Sequence, residues 1–193
     1  MNGYSIALLC HLASLLLATV AATHTTSLAI GLRSCTKAGS ATRQLRSILR
    51  TVRLFPVAVL GLLASGSYMV HLAWSWANPW LVTSIIGLAL ILVLGPGIEG
   101  RRNRNLQREL ETAGLTERAQ DMVRDPVAWC AKMTTLTLML AIIFLMTIKP
   151  GAIDSIALLV AAILAGVAAG LPFSRKPMGA TLSSDAGGAE RVG

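Results

Sequence analysis

The chain has 193 residues, of which 54% are hydrophobic and only 13% charged, with a mean hydropathy of +0.65. That is too little charged surface to wrap a water-soluble core of this size, so an integral membrane protein is expected. The net charge of +8 would suit nucleic acid, but the basic residues flank apolar runs instead of forming a groove with interleaved aromatics, and no nucleic-acid partner is expected.

Ser5 to Leu32 contains no Asp, Glu, Lys or Arg. It exceeds the roughly 20 residues that a bilayer core requires, so residues 5–32 are predicted to span with tilt or to project from the surface. Val20-Ala21-Ala22 would suit a signal-peptide cleavage site, but no basic residue precedes the apolar run, and it is read as a retained first span.

Arg33, Lys37, Arg43, Arg46, Arg50 and Arg53 follow with no acid among them. The last four recur at helical spacing opposite Leu45, Ile48, Leu49 and Val52, which predicts a basic amphipathic helix within residues 33–53. It is expected to lie in the headgroup plane with Arg43, Arg46, Arg50 and Arg53 contacting anionic lipids, each worth roughly 1 kcal/mol. The alternative is a solvated linker without lipid specificity.

Pro56 opens a second span over 56–76 and Pro79 a third over 79–98, with Asn78 as N-cap and the two spans forming a tight hairpin. Trp74, Trp76 and Trp80 cluster at the turn as an interfacial belt would. Gly95-Pro96-Gly97 lacks the Gly-Lys-Ser/Thr ending of a phosphate loop and is read as a helix stop. Residues 99–125 form a charged connection, divided at Gly114 into two helical pieces with solvated faces. Asp125-Pro126 opens a fourth span over 126–148, in which Lys132 snorkels. Lys149-Pro150-Gly151 stops it, and Asp154 is expected to cap a fifth span over 155–171. The bundle thus occupies residues 1–172, and residues 173–193, rich in Gly, Ser and Ala, are expected to be a disordered cytoplasmic tail.

Five spans with the N-terminus outside and the C-terminus inside place sixteen of the 17 Lys and Arg residues in the cytoplasm and leave Lys149 outside. Cys10, Cys35 and Cys130 then fall on different sides, and no intramolecular disulfide is expected. Small residues at four-residue spacing permit close helix approach: Ser14, Ala18 and Ala22 on the first span, Gly61 and Ser65 on the second, Ala162, Gly166 and Gly170 on the fifth. These rows could serve packing within the bundle or a homo-oligomer.

No carboxylate lies within a span, which argues against an ion-coupled carrier but leaves a carrier of neutral solutes or an accessory subunit open. His11 and His71 are predicted at similar depth, where two facing imidazoles could ligate one haem b, or with Cys10 or Met69 a copper ion. A histidine hydrogen-bonded to a neighbouring helix is the plainer expectation. His24 lies about 20 Å further along the first span and cannot join that site. Ala7-Leu8-Leu9-Cys10-His11 lacks the first cysteine of a C-x-x-C-H haem attachment, and no G-x-S-x-G, H-E-x-x-H or paired acids appear, so no enzyme is expected.

His11 early in the first span, Trp80-Leu81 opening the third, and Phe144-Leu145-Met146-Thr147-Ile148-Lys149-Pro150 closing the fourth resemble a family of bacterial predicted integral membrane proteins of unknown function. That family is distantly similar to the copper-resistance D type of membrane protein. The resemblance covers about Ser5 to Pro150 and implies a multi-pass protein of the bacterial cytoplasmic (inner) membrane, with haem or copper open through His11.

Overall fold

The computed structural model describes residues 2–174, which form helices and no strand. Five helical stretches are long and apolar enough to cross a membrane. The first, α1 (Gly3–Leu32), is a single helix of 30 residues, about 45 Å long, against a hydrocarbon core of about 30 Å. Two further helices, α2 (Ala38–Val52) and α3 (Leu54–Ala73), run back along it, separated only at Arg53, whose backbone stays in the right-handed helical region.

Their register is constant. Gly61 meets Ser14, His24 bonds Thr51 at 3.2 Å, and Gly31 abuts Gln44, so 17 residues forward on α1 match 17 back on its partner. Such a match over about 26 Å requires near-antiparallel axes, because crossed helices separate within a turn or two of their closest point. The course of α2 therefore differs from the expected in-plane helix: it continues α3 alongside α1. Its apolar face is taken by protein, with Ala41, Leu45 and Ile48 buried against Leu32 of α1 and against Leu106, Leu110 and Ala119. Those last three belong to α5 (Gly100–Thr112) and α6 (Glu117–Arg124), which cover the same end of the bundle and meet at Gly114, held at φ +74° where a side chain would be strained. Thr116 caps α6 by accepting from the Ala119 amide at 3.1 Å.

The other half of the bundle consists of α4 (Pro79–Leu92), α7 (Pro126–Ile148) and α8 (Ala152–Gly170). Asp125 caps α7, its carboxylate accepting from the Val127 amide at 2.9 Å while pairing with Arg102. Asp154, in contrast, lies within the first turn of α8 and Gly151 holds the cap position, where the acid can still favour the helix dipole.

Two sequence expectations about the middle of the chain are corrected. Gly95-Pro96-Gly97 does not end the third span: the helix widens into a π-helical segment (Val93–Glu99) carrying Pro96 and runs on into α5. A π turn absorbs the missing N–H and the ring that would collide with the preceding turn of an α-helix. Nor do the second and third spans pack as a hairpin. The Gly61–Ser65 row of α3 is occupied by α1, while Gly87 of α4 faces Ile142 of α7 and Leu159 of α8. With each helix drawn to a different partner, α3 and α4 diverge. Trp74, in extended conformation, ends α3 at Ala73 instead of Trp76.

Phe173, expected in a disordered tail, lies in a 3-10 turn (Leu171–Ser174), its ring stacked on Trp129 at 4.8 Å, with the Arg33 guanidinium 5.5 Å from the Trp129 centroid. The tail beyond residue 174 lies outside the described residues.

Candidate functional site

The divergence of α3 from α4 opens a cleft of about 470 Å³, walled by α1 and α3 on one side and α4 and α7 on the other. Toward the arginine-rich end it is closed by the junction of the two halves, where Ala18 and Ala58 meet Ile91, Leu138 and Met139. At the opposite end it is closed by Val70, Trp80 and Leu81 with Met146. Sideways it is open. The lining residues Leu8, Leu12, Leu63 and Ile85 are 40–52% exposed, and all are aliphatic.

Few polar groups reach the cleft, and no carboxylate is among its lining residues. His11 is on the wall, with Nδ1 3.1 Å from Ser65 Oγ. The Ser65 hydroxyl donates its single hydrogen to the Gly61 carbonyl at 2.5 Å, so the histidine must be the donor in the His11–Ser65 bond. A neutral His11 thus carries its proton on Nδ1 and keeps a lone pair on Nε2. This is interhelical bonding of the kind expected for a histidine in a span. His71 does not join it. The residues facing His11 are Ser65 and Gly66, and His71, five positions past Gly66, is turned about 140° away, exposed, and absent from the lining. The two imidazoles therefore do not offer a facing pair to one haem.

At the tryptophan end, Trp74 and Trp80 meet edge to face with centroids 5.6 Å apart. The Lys149 ammonium sits 3.8 Å from the Trp74 centroid and 5.9 Å from that of Trp80, with Lys149 itself in the left-handed region at φ +53°. At the other end of the bundle Lys132 donates to Glu99 Oε2 at 2.5 Å, and the two side chains are 13% and 14% exposed. The residue order hides this pair, because Gly95-Pro96-Gly97 reads as a helix stop that would leave Glu99 in a polar loop. The continuity of the π-helical segment brings the carboxylate onto α7.

The small-residue rows are used within the chain. A Cβ on Gly166 would fall 2.7 Å from the Thr134 amide nitrogen and nearer still to Thr134 Cα, and one on Gly170 would fall 2.7 Å from the Cys130 amide nitrogen. Thr137 Oγ1 donates to the Ala162 carbonyl at 2.7 Å, and Ser14, Ala18 and Ala22 line the first helix toward Gly61 and the central core. An oligomer would need another face. Arg43, Arg46, Arg50 and Arg53 are all exposed, on the side of α2 opposite Leu45 and Ile48.

Residues 6–150 match the family model described as Predicted integral membrane protein (DUF2269). The chain belongs to that family. No curated protein and no solved structure matches the chain. The family region runs from α1 through α7 and includes all the lining of the cleft except Tyr4, while α8 lies beyond it. Membership establishes a multi-pass integral membrane protein and assigns no chemistry.

Proposed function

We propose that this family member is a non-enzymatic membrane protein that takes an apolar chain of a bilayer lipid into the cleft, acting as a carrier or as an accessory subunit of a membrane complex. The observation that carries the reading is the lateral opening. Exposed Leu8, Leu12, Leu63 and Ile85 make an entrance that water would not wet, and about 470 Å³ is within the usual range for a small-molecule site. A hydrolase or ion-coupled pump would need an activated nucleophile or acids at the site, and the lining supplies neither.

Purified protein titrated in detergent with a phospholipid brominated along its chains should show saturable quenching of the tryptophans at the rim. The Leu63→Phe/Ile85→Phe double variant, which narrows the entrance at two already exposed positions, should bind about tenfold more weakly. Quenching that never saturates, or that ignores the double variant, would reject the cleft as a site.

A second reading is copper, which the more distant copper-resistance D likeness suggests. It is favoured by His11 and Met69 sharing the cleft, since imidazole and thioether both suit that metal. Copper(I) added in place of lipid separates the two: quenching abolished by His11→Ala supports metal, and none supports lipid. A haem b held by His11 and His71 is disfavoured by the turn of His71 away from the cleft.

The arginine-rich end is read as cytoplasmic in a bacterial inner membrane, N-terminus out and C-terminus in. About 30 Å separates Tyr4 from His24, which puts the inner boundary near Arg50 and Arg53. Arg46 then lies about 7–8 Å and Arg43 about 12 Å beyond the level of Thr51, so contact with anionic headgroups belongs to Arg46, Arg50 and Arg53, while Arg43 stands beyond one Debye length. Topology reporters inserted between α5 and α6 should register inside, and an outside result would invert the chain.

A further inference from the structure

Among the described residues, Lys149 is set apart from every other Lys and Arg. The rest lie after α1, along α2, α5 and α6, or in the first two turns of α7, all toward the arginine-rich end. Lys149 stands alone at the tryptophan end, at the rim of the cleft, against the charge asymmetry of the rest of the chain. Among the described residues Arg102 pairs with Asp125 and Lys132 with Glu99, no carboxylate of those residues pairs with Lys149, and Asp154, the nearest acid in sequence, is in the first turn of α8. Its ammonium rests instead on the faces of Trp74 and Trp80. Lys149 is exposed, so its charge is open to a ligand: an aromatic face leaves that charge uncompensated, and the three N–H donors are not all directed at one ring.

Resting on the lipid-cleft reading, we propose that the ligand is an anionic phospholipid of the surrounding bilayer, with one chain in the cleft and its negatively charged headgroup on Lys149. Charge complementarity selects the head, and the sideways opening selects the bilayer over water as the source. The two anchors are compatible with one molecule, because Trp74, Trp80 and Lys149 line the same cavity as Leu8, Leu63 and Ile85. The left-handed conformation of Lys149, uncommon outside glycine, is where α7 ends and where the side chain reaches the aromatic platform.

The titration is repeated with brominated phosphatidylglycerol and brominated phosphatidylcholine of identical chains. Quenching is read mainly from Trp74, Trp76 and Trp80, while Trp129, at the other end, adds the same background to each variant. One lysine near an anionic head predicts about a fivefold preference for phosphatidylglycerol, shrinking as salt is raised. Lys149→Gln should abolish that preference while both lipids still quench saturably, which also shows that the variant is folded, and Lys149→Arg should retain it. Equal, saturable binding of both lipids by the parent would overturn the anionic headgroup and leave the cleft intact. A preference that persists in Lys149→Gln would overturn Lys149 as its source. Saturable binding of neither lipid would remove the cleft reading, and this one with it.

Discussion

Gly166→Leu should lower the stability of the bundle by about 3 kcal/mol or more, because the new side chain meets, beside the Thr137 hydroxyl, backbone that cannot turn aside. Gly166 is buried at the seam where α8 lies directly on α7, and its would-be Cβ meets both the amide nitrogen and the Cα of Thr134. A flexible neighbour can rotate away, but a helix backbone can yield only by moving the whole helix. That movement would also open the contact of Gly170 with Cys130 and break the hydrogen bond from Thr137 to the Ala162 carbonyl, so the loss extends along the seam. Reversible unfolding in mixed micelles with increasing denaturing detergent measures the change. Gly39→Ala is the matched control: nothing lies within 4 Å of that position in α2, and replacing glycine in a helix should stabilise by about 0.5–1 kcal/mol. Equal stability of parent and Gly166→Leu would mean that α7 and α8 are not in backbone contact.

Lys132→Met should cost about 3–5 kcal/mol, since it leaves the Glu99 carboxylate in a site that is mostly withdrawn from solvent with no cation beside it. Glu99→Gln with Lys132→Met should recover most of that loss, because a buried pair is weakly stabilising as a whole and costly only when halved. The same unfolding assay closes the cycle of parent, two single variants and the double variant. Effects that simply add would show that the two side chains act independently. The pair also anchors the π-helical segment to α7, so the single variants should loosen the chain around Pro96, read as faster amide exchange over residues 93–99.

Much of the architecture was legible from residue order alone. Hydrocarbon tolerates neither charge nor unpaired backbone, so an apolar run of sufficient length, such as Ser5–Leu32, has essentially one option. Proline placement located the starts of α4 and α7 for an equally local reason, a fixed φ and an amide that a first helical turn does not need. The small-residue rows at Gly61, Gly166 and Gly170 identified surfaces able to approach closely.

Partner choice was settled only by the folded chain, because a small-residue row does not name the helix that will fill it. Once Ser14 occupied Gly61 and Thr134 occupied Gly166, α3 and α4 were left on opposite sides of a gap, and their short link could not imply a hairpin. The course of α2 and the union of Glu99 with Lys132 arise in the same way, from long-range packing that outweighs local pattern: an amphipathic face turns toward whichever apolar surface is nearest, protein or lipid. Residue chemistry thus determined that this chain lives in a membrane and how often it crosses. The three-dimensional packing decided where an opening would be left, because close contact at one seam forces separation at another.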